Sequence, residues 1–126
     1  MAYSVLIVED EMIIAMEIAA IIKRMGHAVA GSVMTGEDAI SLSELRHPDI
    51  VLMDIFLKGI MDGITAAEII YQTYKIPVIY VTANSDVNTL DRAMKTRPFG
   101  YLTKPVNASE LQTAIEKAVM MSRTPP

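Results

Sequence analysis

Five residues that can do chemistry together stand at the ends of short apolar runs. Val5-Leu6-Ile7-Val8 runs into Glu9-Asp10-Glu11, Ile50-Val51-Leu52-Met53 into Asp54, Val78-Ile79-Tyr80-Val81 into Thr82, and Gly100-Tyr101-Leu102-Thr103 into Lys104 and Pro105. Carboxylates, a hydroxyl and an ammonium at one place suit a divalent cation and a phosphoryl group. Hard cations such as Mg2+ or Mn2+ take oxygen ligands, commonly one or two carboxylates with waters and phosphate oxygens. Asp10 and Asp54 supply the direct carboxylates, with Glu9 acting directly or through water. A carboxylate is also a covalent nucleophile in phosphoryl transfer, forming an aspartyl phosphate. Asp54 is the better candidate for that role, being the lone acid on the more central of its two strands. The cation would offset the repulsion between an acidic pocket and an incoming dianion. Lys104 would neutralise further charge, and Thr82 and nearby backbone N–H groups would contact phosphoryl oxygens.

These side chains meet only if the runs are parallel strands of one open sheet, whose carboxyl ends are where such sheets place their ligand sites. Helical spacing over 12–25, with Gly26 at the expected C-cap, predicts a first helix. Residues 28–33 read as a second, weak strand. Thr35 opens a helix that must end before Pro48. A glycine-containing loop then leads from the third strand to a helix over 64–74, and Lys75-Ile76-Pro77 connects to the fourth strand. Ser85 or Asp86 caps a helix reaching about 95, Arg97-Pro98-Phe99 leads into the fifth strand, and Asn107 to Glu110 has the spacing of a capping box ahead of a helix to about 121. Continuous apolar strands alternating with helices predict a flavodoxin-like, doubly wound, five-stranded parallel sheet of order 2-1-3-4-5 with five helices. Residues 1–121 form one domain, and 122–126 read as a tail or the start of a linker.

At 126 residues and 52% hydrophobic, the chain has room for one domain with a normal core. Its 11 Lys and Arg against 15 Asp and Glu give a net charge of -4 without a basic stripe, which argues against nucleic-acid binding by this chain. Cysteine is absent, so no disulfide framework or thiolate metal site is available, in keeping with a reducing compartment. The apolar runs are too short for a membrane span, and a cytoplasmic protein is expected.

Glu9-Asp10, Asp54, Thr82-Ala83 and Lys104-Pro105 resemble, in order and approximate spacing, the signature of response-regulator receiver domains of two-component signalling. The resemblance spans the chain. It implies that a histidine kinase or phosphotransfer protein donates a phosphoryl group to Asp54 with Mg2+ bound, that the Phe56 carbonyl is a backbone metal ligand, and that the backbone of Ala83 contacts the phosphoryl group. It also implies a cis bond from Lys104 to Pro105, a Thr82 that moves toward the phosphoryl group, and a Tyr101 that turns inward behind it. The switched surface is then the fourth helix, fifth strand and fifth helix, used for a homodimer or an effector. Two departures stand out: Lys58 occupies a position where the family usually has proline, and Gly63 comes nine residues after Asp54 rather than eight.

Singly, these residues have plainer readings. An aspartate after a strand is often a turn former, Glu11 is a charged helix start, and an aromatic such as Tyr101 is usually core. The ten methionines, Met12, Met16, Met25 and Met53 among them, read as adaptable core filler, and His27 and His47 as loop residues without a chemical role. Arg97-Pro98-Phe99 borders the expected output face and suits a partner contact. Three other functions compete; one, a flavodoxin-like electron carrier, is disfavoured because Glu9-Asp10-Glu11 after the first strand would repel a flavin phosphate. A metal-dependent phosphohydrolase with an aspartyl nucleophile commonly carries a second acid two residues on, where Phe56 stands; a receiver-like module that works without phosphorylation would have little use for the complete set. Phe56 is also placed to exclude water from a phosphorylated Asp54, and Asn84 to orient one.

Overall fold

A computed structural model describes residues 2–83 and 86–123. Strand and helix alternate: β1 (Ser4–Val8), α1 (Met12–Arg24), β2 (Ala28–Val33), α2 (Gly36–Arg46), β3 (Ile50–Met53), α3 (Gly63–Tyr74), β4 (Val78–Thr82), α4 (Val87–Lys95), β5 (Gly100–Thr103) and α5 (Ala108–Arg123). The strands are parallel in the order β2-β1-β3-β4-β5, the flavodoxin-like arrangement expected. β3 and β4 are covered on both faces and buried throughout, which is why they are apolar without alternation. β2, the weak strand, lies at an edge and buries no residue fully. Val8 pairs with Met53, Met53 with Tyr80, and Thr82 with Thr103, so the strands deliver their following residues to one rim.

Helices cover both faces. On one, Ala15, Ile18 and Ile22 of α1 and Leu111, Ile115 and Val119 of α5 recur every three or four residues and pack on Val5, Ile7, Leu52 and Val81. On the other, Ala39 of α2 and Ile64, Ala67 and Ile70 of α3 pack on Leu6, Val8, Val51 and Tyr80. Each fully buried Leu or Ile contributes about 1.5–3 kcal/mol, so this two-sided burial is what holds the rim residues in place. Thr35, Asp62 and Asp86 cap their helices through the N–H groups of Asp38, Thr65 and Thr89 at 3.1, 2.9 and 2.7 Å. Asn107 Oδ1 likewise accepts from the Glu110 N–H at 2.7 Å. Of the two expected caps for α4, Asp86 is the one observed; Ser85 lies outside the described residues.

Two expectations change. α5 continues past 121: Ser122 Oγ donates to the Val119 carbonyl at 2.9 Å within the last turn, and Arg123 pairs at 2.7 Å with Asp49, 74 residues away. Met12 and Met16 are exposed, because Ala15, Ile18 and Ile22 take the inner face of α1 and leave those positions outward; Met53 is core as expected. His27 lies in the loop before β2, as expected, and is buried there. Its Nδ1 accepts from the Tyr3 N–H at 3.0 Å and its Nε2 lies 3.0 Å from Gln112 Oε1, tying the start of β1 to α5.

Candidate functional site

The rim residues are aligned by backbone bonds that continue the sheet ladder. The Glu9 N–H donates to the Val33 carbonyl at 2.9 Å, Asp54 to Val8 at 3.0 Å and Lys104 to Thr82 at 2.8 Å. Asp54 therefore lies centrally, between the acids after β1 and the hydroxyl of Thr82. Thr82 Oγ1 donates to Asp54 Oδ1 at 3.2 Å, and the Phe56 N–H donates to the same oxygen at 3.2 Å. Lys104 Nζ donates to Asp54 Oδ2 at 3.2 Å and also to Glu9 Oε1. Glu9 Oε2 in turn accepts from the Glu11 N–H at 3.0 Å. The bond from Lys104 to Pro105 is cis.

Glu9, Asp10 and Asp54 each place a carboxylate oxygen within 4.8 Å of the others, a cluster of the kind that holds a hard cation. Glu9 and Asp54 are buried at 2% and 6% exposure, while Asp10 is half-buried. Burial pushes the Glu9 carboxyl above its usual range, against the Lys104 bond that favours its ionised form. For Lys104 burial works downward, but Glu9 and Asp54 outweigh it and hold the ammonium above the ordinary lysine value. The site is thus acidic in excess of its one embedded cation, and it opens to a cleft lined by Asp10, Asp54, Phe56, Ala83 and Lys104.

The loop after Asp54 absorbs its extra residue before Gly63. A Cβ on Gly63 would sit 1.9 Å from the Asp54 carbonyl oxygen, so this close approach requires glycine, and Gly59 turns the loop at φ +102°. The Lys58 N–H donates to Asp10 Oδ2 at 3.0 Å, a bond no proline at that position could make. Every expected site residue reaches this rim except Tyr101, which lies farther down β5, half-buried and edge-on to Tyr80 with ring centroids 6.3 Å apart. Asn84 lies outside the described residues. Sequence reasoning missed Asp62 and Arg92, which line the same cleft and pair at 3.0 Å. Asp62 carried a signal in its place ahead of Gly63, three residues before Thr65; Arg92 carried none.

Residues 5–116 match the family described as the response regulator receiver domain. Transcriptional regulatory protein PdtaR of Mycobacterium tuberculosis is 38% identical over 119 residues, covering 94% of this chain and 58% of that protein. Phyllosphere-induced regulator PhyR of Methylorubrum extorquens is 30% identical over 125 residues, covering 98% of this chain and 46% of that protein. The chain thus spans about half the length of these curated relatives. Among solved structures, the signal receiver domain of a modulated diguanylate cyclase from Desulfovibrio desulfuricans G20 is similar at TM-score 0.94 and 36% identity, with 98% of each chain covered.

Proposed function

This chain belongs to the response regulator receiver family, and from that premise we propose that it is a cytoplasmic, phosphorylation-activated switch whose phosphoacceptor is Asp54. The observation that carries this reading is the convergence of Thr82, Lys104 and the Phe56 N–H on one buried carboxylate beside two further acids. A histidine kinase or phosphotransfer protein supplies the phosphoryl group: its N–P bond breaks as a carboxylate oxygen of Asp54 forms the O–P bond. Asp10, Asp54, Glu9 and the Phe56 carbonyl would hold Mg2+ or Mn2+, which when bound neutralises charge on the phosphoryl oxygens. Lys104 adds a fixed positive charge beside Asp54, and the Ala83 N–H and the Thr82 hydroxyl contact the phosphoryl oxygens. The chain catalyses only its own phosphorylation and dephosphorylation; an aspartyl phosphohydrolase would want an acid where Phe56 stands.

The output is a change in the surface made by α4, β5 and α5. Thr82 leaves Asp54 Oδ1 for a phosphoryl oxygen, Tyr101 turns into the space behind it, and the reshaped face binds a second copy or an effector. The receiver unit comprises residues 1–121 together with Ser122 and Arg123 of α5; the remainder of the expected tail, 124–126, lies outside the described residues. Incubation with acetyl phosphate tests the reading: one hydroxylamine-labile phosphoryl group is expected with Mg2+ and none with a chelator. Uptake that ignores the chelator contradicts it.

A further inference from the structure

Helix α4 is lightly embedded, with Ala93 its one buried residue. Polar ties hold it instead. At its C-terminal end the Tyr80 hydroxyl lies 2.9 Å from Thr96 Oγ1, which itself donates to the Ala93 carbonyl at 2.6 Å. One turn earlier, Arg92 Nη2 donates to Asp62 Oδ2 at 3.0 Å. Asp62 is firmly placed: its Oδ1 caps α3, and the next residue, Gly63, rests against the Asp54 carbonyl. The pair therefore joins α4 to the backbone of the phosphoacceptor, along a cleft that Arg92 and Asp62 share with Asp10, Asp54 and Lys104.

Charge shows why Arg92 matters there. With a divalent cation held by them, the three clustered carboxylates would be balanced by that cation and Lys104. A phosphoryl group replaces the single charge of Asp54 with roughly two, so about one negative charge is left without a counterpart. Lys104 is already shared between Glu9 and Asp54. Arg92 is a cation lining the same cleft, and its hold on Asp62 is a half-exposed pair of the kind that contributes little. A guanidinium has five donors in a planar fork that matches phosphoryl oxygens, and Asp62 engages Nη2.

We infer that Arg92 is a second phosphoryl-binding cation, held by Asp62 at rest and drawn to the phosphoryl group on Asp54, so that α4 is coupled to phosphorylation directly. This rests on the reading of Asp54 as phosphoacceptor. The exchange is a competition between two anions for one guanidinium, and the dianion, with three oxygens, prevails.

Titration of the chain with beryllofluoride in saturating Mg2+, followed by backbone amide signals, tests it. Arg92→Gln is expected to weaken beryllofluoride binding about tenfold and to shrink the shifts in α4, while Arg92→Lys recovers part of the affinity. Asp62→Asn, which keeps a capping side chain, is expected to tighten binding. Lys58→Gln removes the same charge from the same cleft and is expected to weaken binding less than about threefold. Equal weakening in Arg92→Gln and Lys58→Gln would overturn the inference in favour of general cleft charge, as would wild-type affinity in Arg92→Gln. If the wild-type chain takes up no beryllofluoride, the Asp54 reading itself fails and the inference falls with it.

Discussion

The hydroxyl of Thr82 donates to Asp54 Oδ1 across 3.2 Å, inside a site where Thr82 is fully buried. The end of β4 is thus joined to the proposed phosphoacceptor before any group is transferred. Thr82→Ala should leave Asp54 able to accept a phosphoryl group while Tyr101 and the β5–α5 surface stay at rest. Amide spectra with and without beryllofluoride check this. Equal shifts at Tyr101 in wild type and variant would show that the signal reaches β5 by another route.

Phe56, at 51% exposure, lines the cleft while its N–H donates to Asp54 Oδ1. On the proposed reading, a bulky apolar side chain two residues after Asp54 would exclude the water that hydrolyses an acyl phosphate. Phe56→Asn keeps the backbone bond and removes the screen, so dephosphorylation should accelerate about three- to tenfold. The decay of the phosphorylated form after the donor is removed measures it. An unchanged rate would show that the ring does not shield the bond.

Three carboxylates within 4.8 Å face one embedded ammonium, so a divalent cation should stabilise the fold. At ten times its dissociation constant, Mg2+ should add about 1.4 kcal/mol, a rise of about 4–6 °C in thermal midpoint. Asp10→Asn should lose most of this rise, since the half-buried Asp10 is the proposed ligand nearest water. A midpoint indifferent to Mg2+ in the wild type would contradict the assigned ligand set.

The strand order and most of the site were legible for one physical reason. β1, β3 and β4 are apolar and buried along nearly their whole length, so the polar residue at which each apolar run stops marks the rim: Glu9, with Asp10 next to it, Asp54, and Thr82 as the last residue of β4. Burial does not mark Lys104, because β5 is half-buried and already ends in the exposed Thr103; Lys104 was legible through its place ahead of Pro105 in the motif. The pairing of Asp62 with Arg92 was not legible, because the two are 30 residues apart and meet only once α4 is docked beside α3. His27 escaped for the same reason, its partner Gln112 lying 85 residues away. The methionines were misjudged through composition rather than helical phase: Met12 and Met16 stand outward from the stripe of Ala15, Ile18 and Ile22. The role of the Lys58 N–H depends on how the longer loop passes Asp10, which no spacing rule contains.

Asp62 titrates in a direction that can be checked. Burial would raise its carboxyl, but the Thr65 N–H and then the Arg92 guanidinium outweigh it and hold the group below its usual value. A depressed folded-state pKa gives stability that is fully present above the unfolded value and is lost as pH falls through the folded one. Asp62→Asn retains a capping oxygen without the titration. Urea unfolding should show a wild-type advantage that is constant above about pH 5 and shrinks below about pH 4. An advantage that grows toward acid would reverse the sign assigned here.

Whether Asp54 itself forms the covalent bond is read by peptide-level mass spectrometry after acetyl phosphate, Mg2+ and borohydride reduction. Borohydride converts an aspartyl phosphate to homoserine, so homoserine is expected at position 54, with its loss in Asp54→Asn and strong reduction in Asp10→Asn. Homoserine at any other position, or a phosphoryl adduct that persists unchanged in Asp54→Asn, would contradict Asp54 as the acceptor.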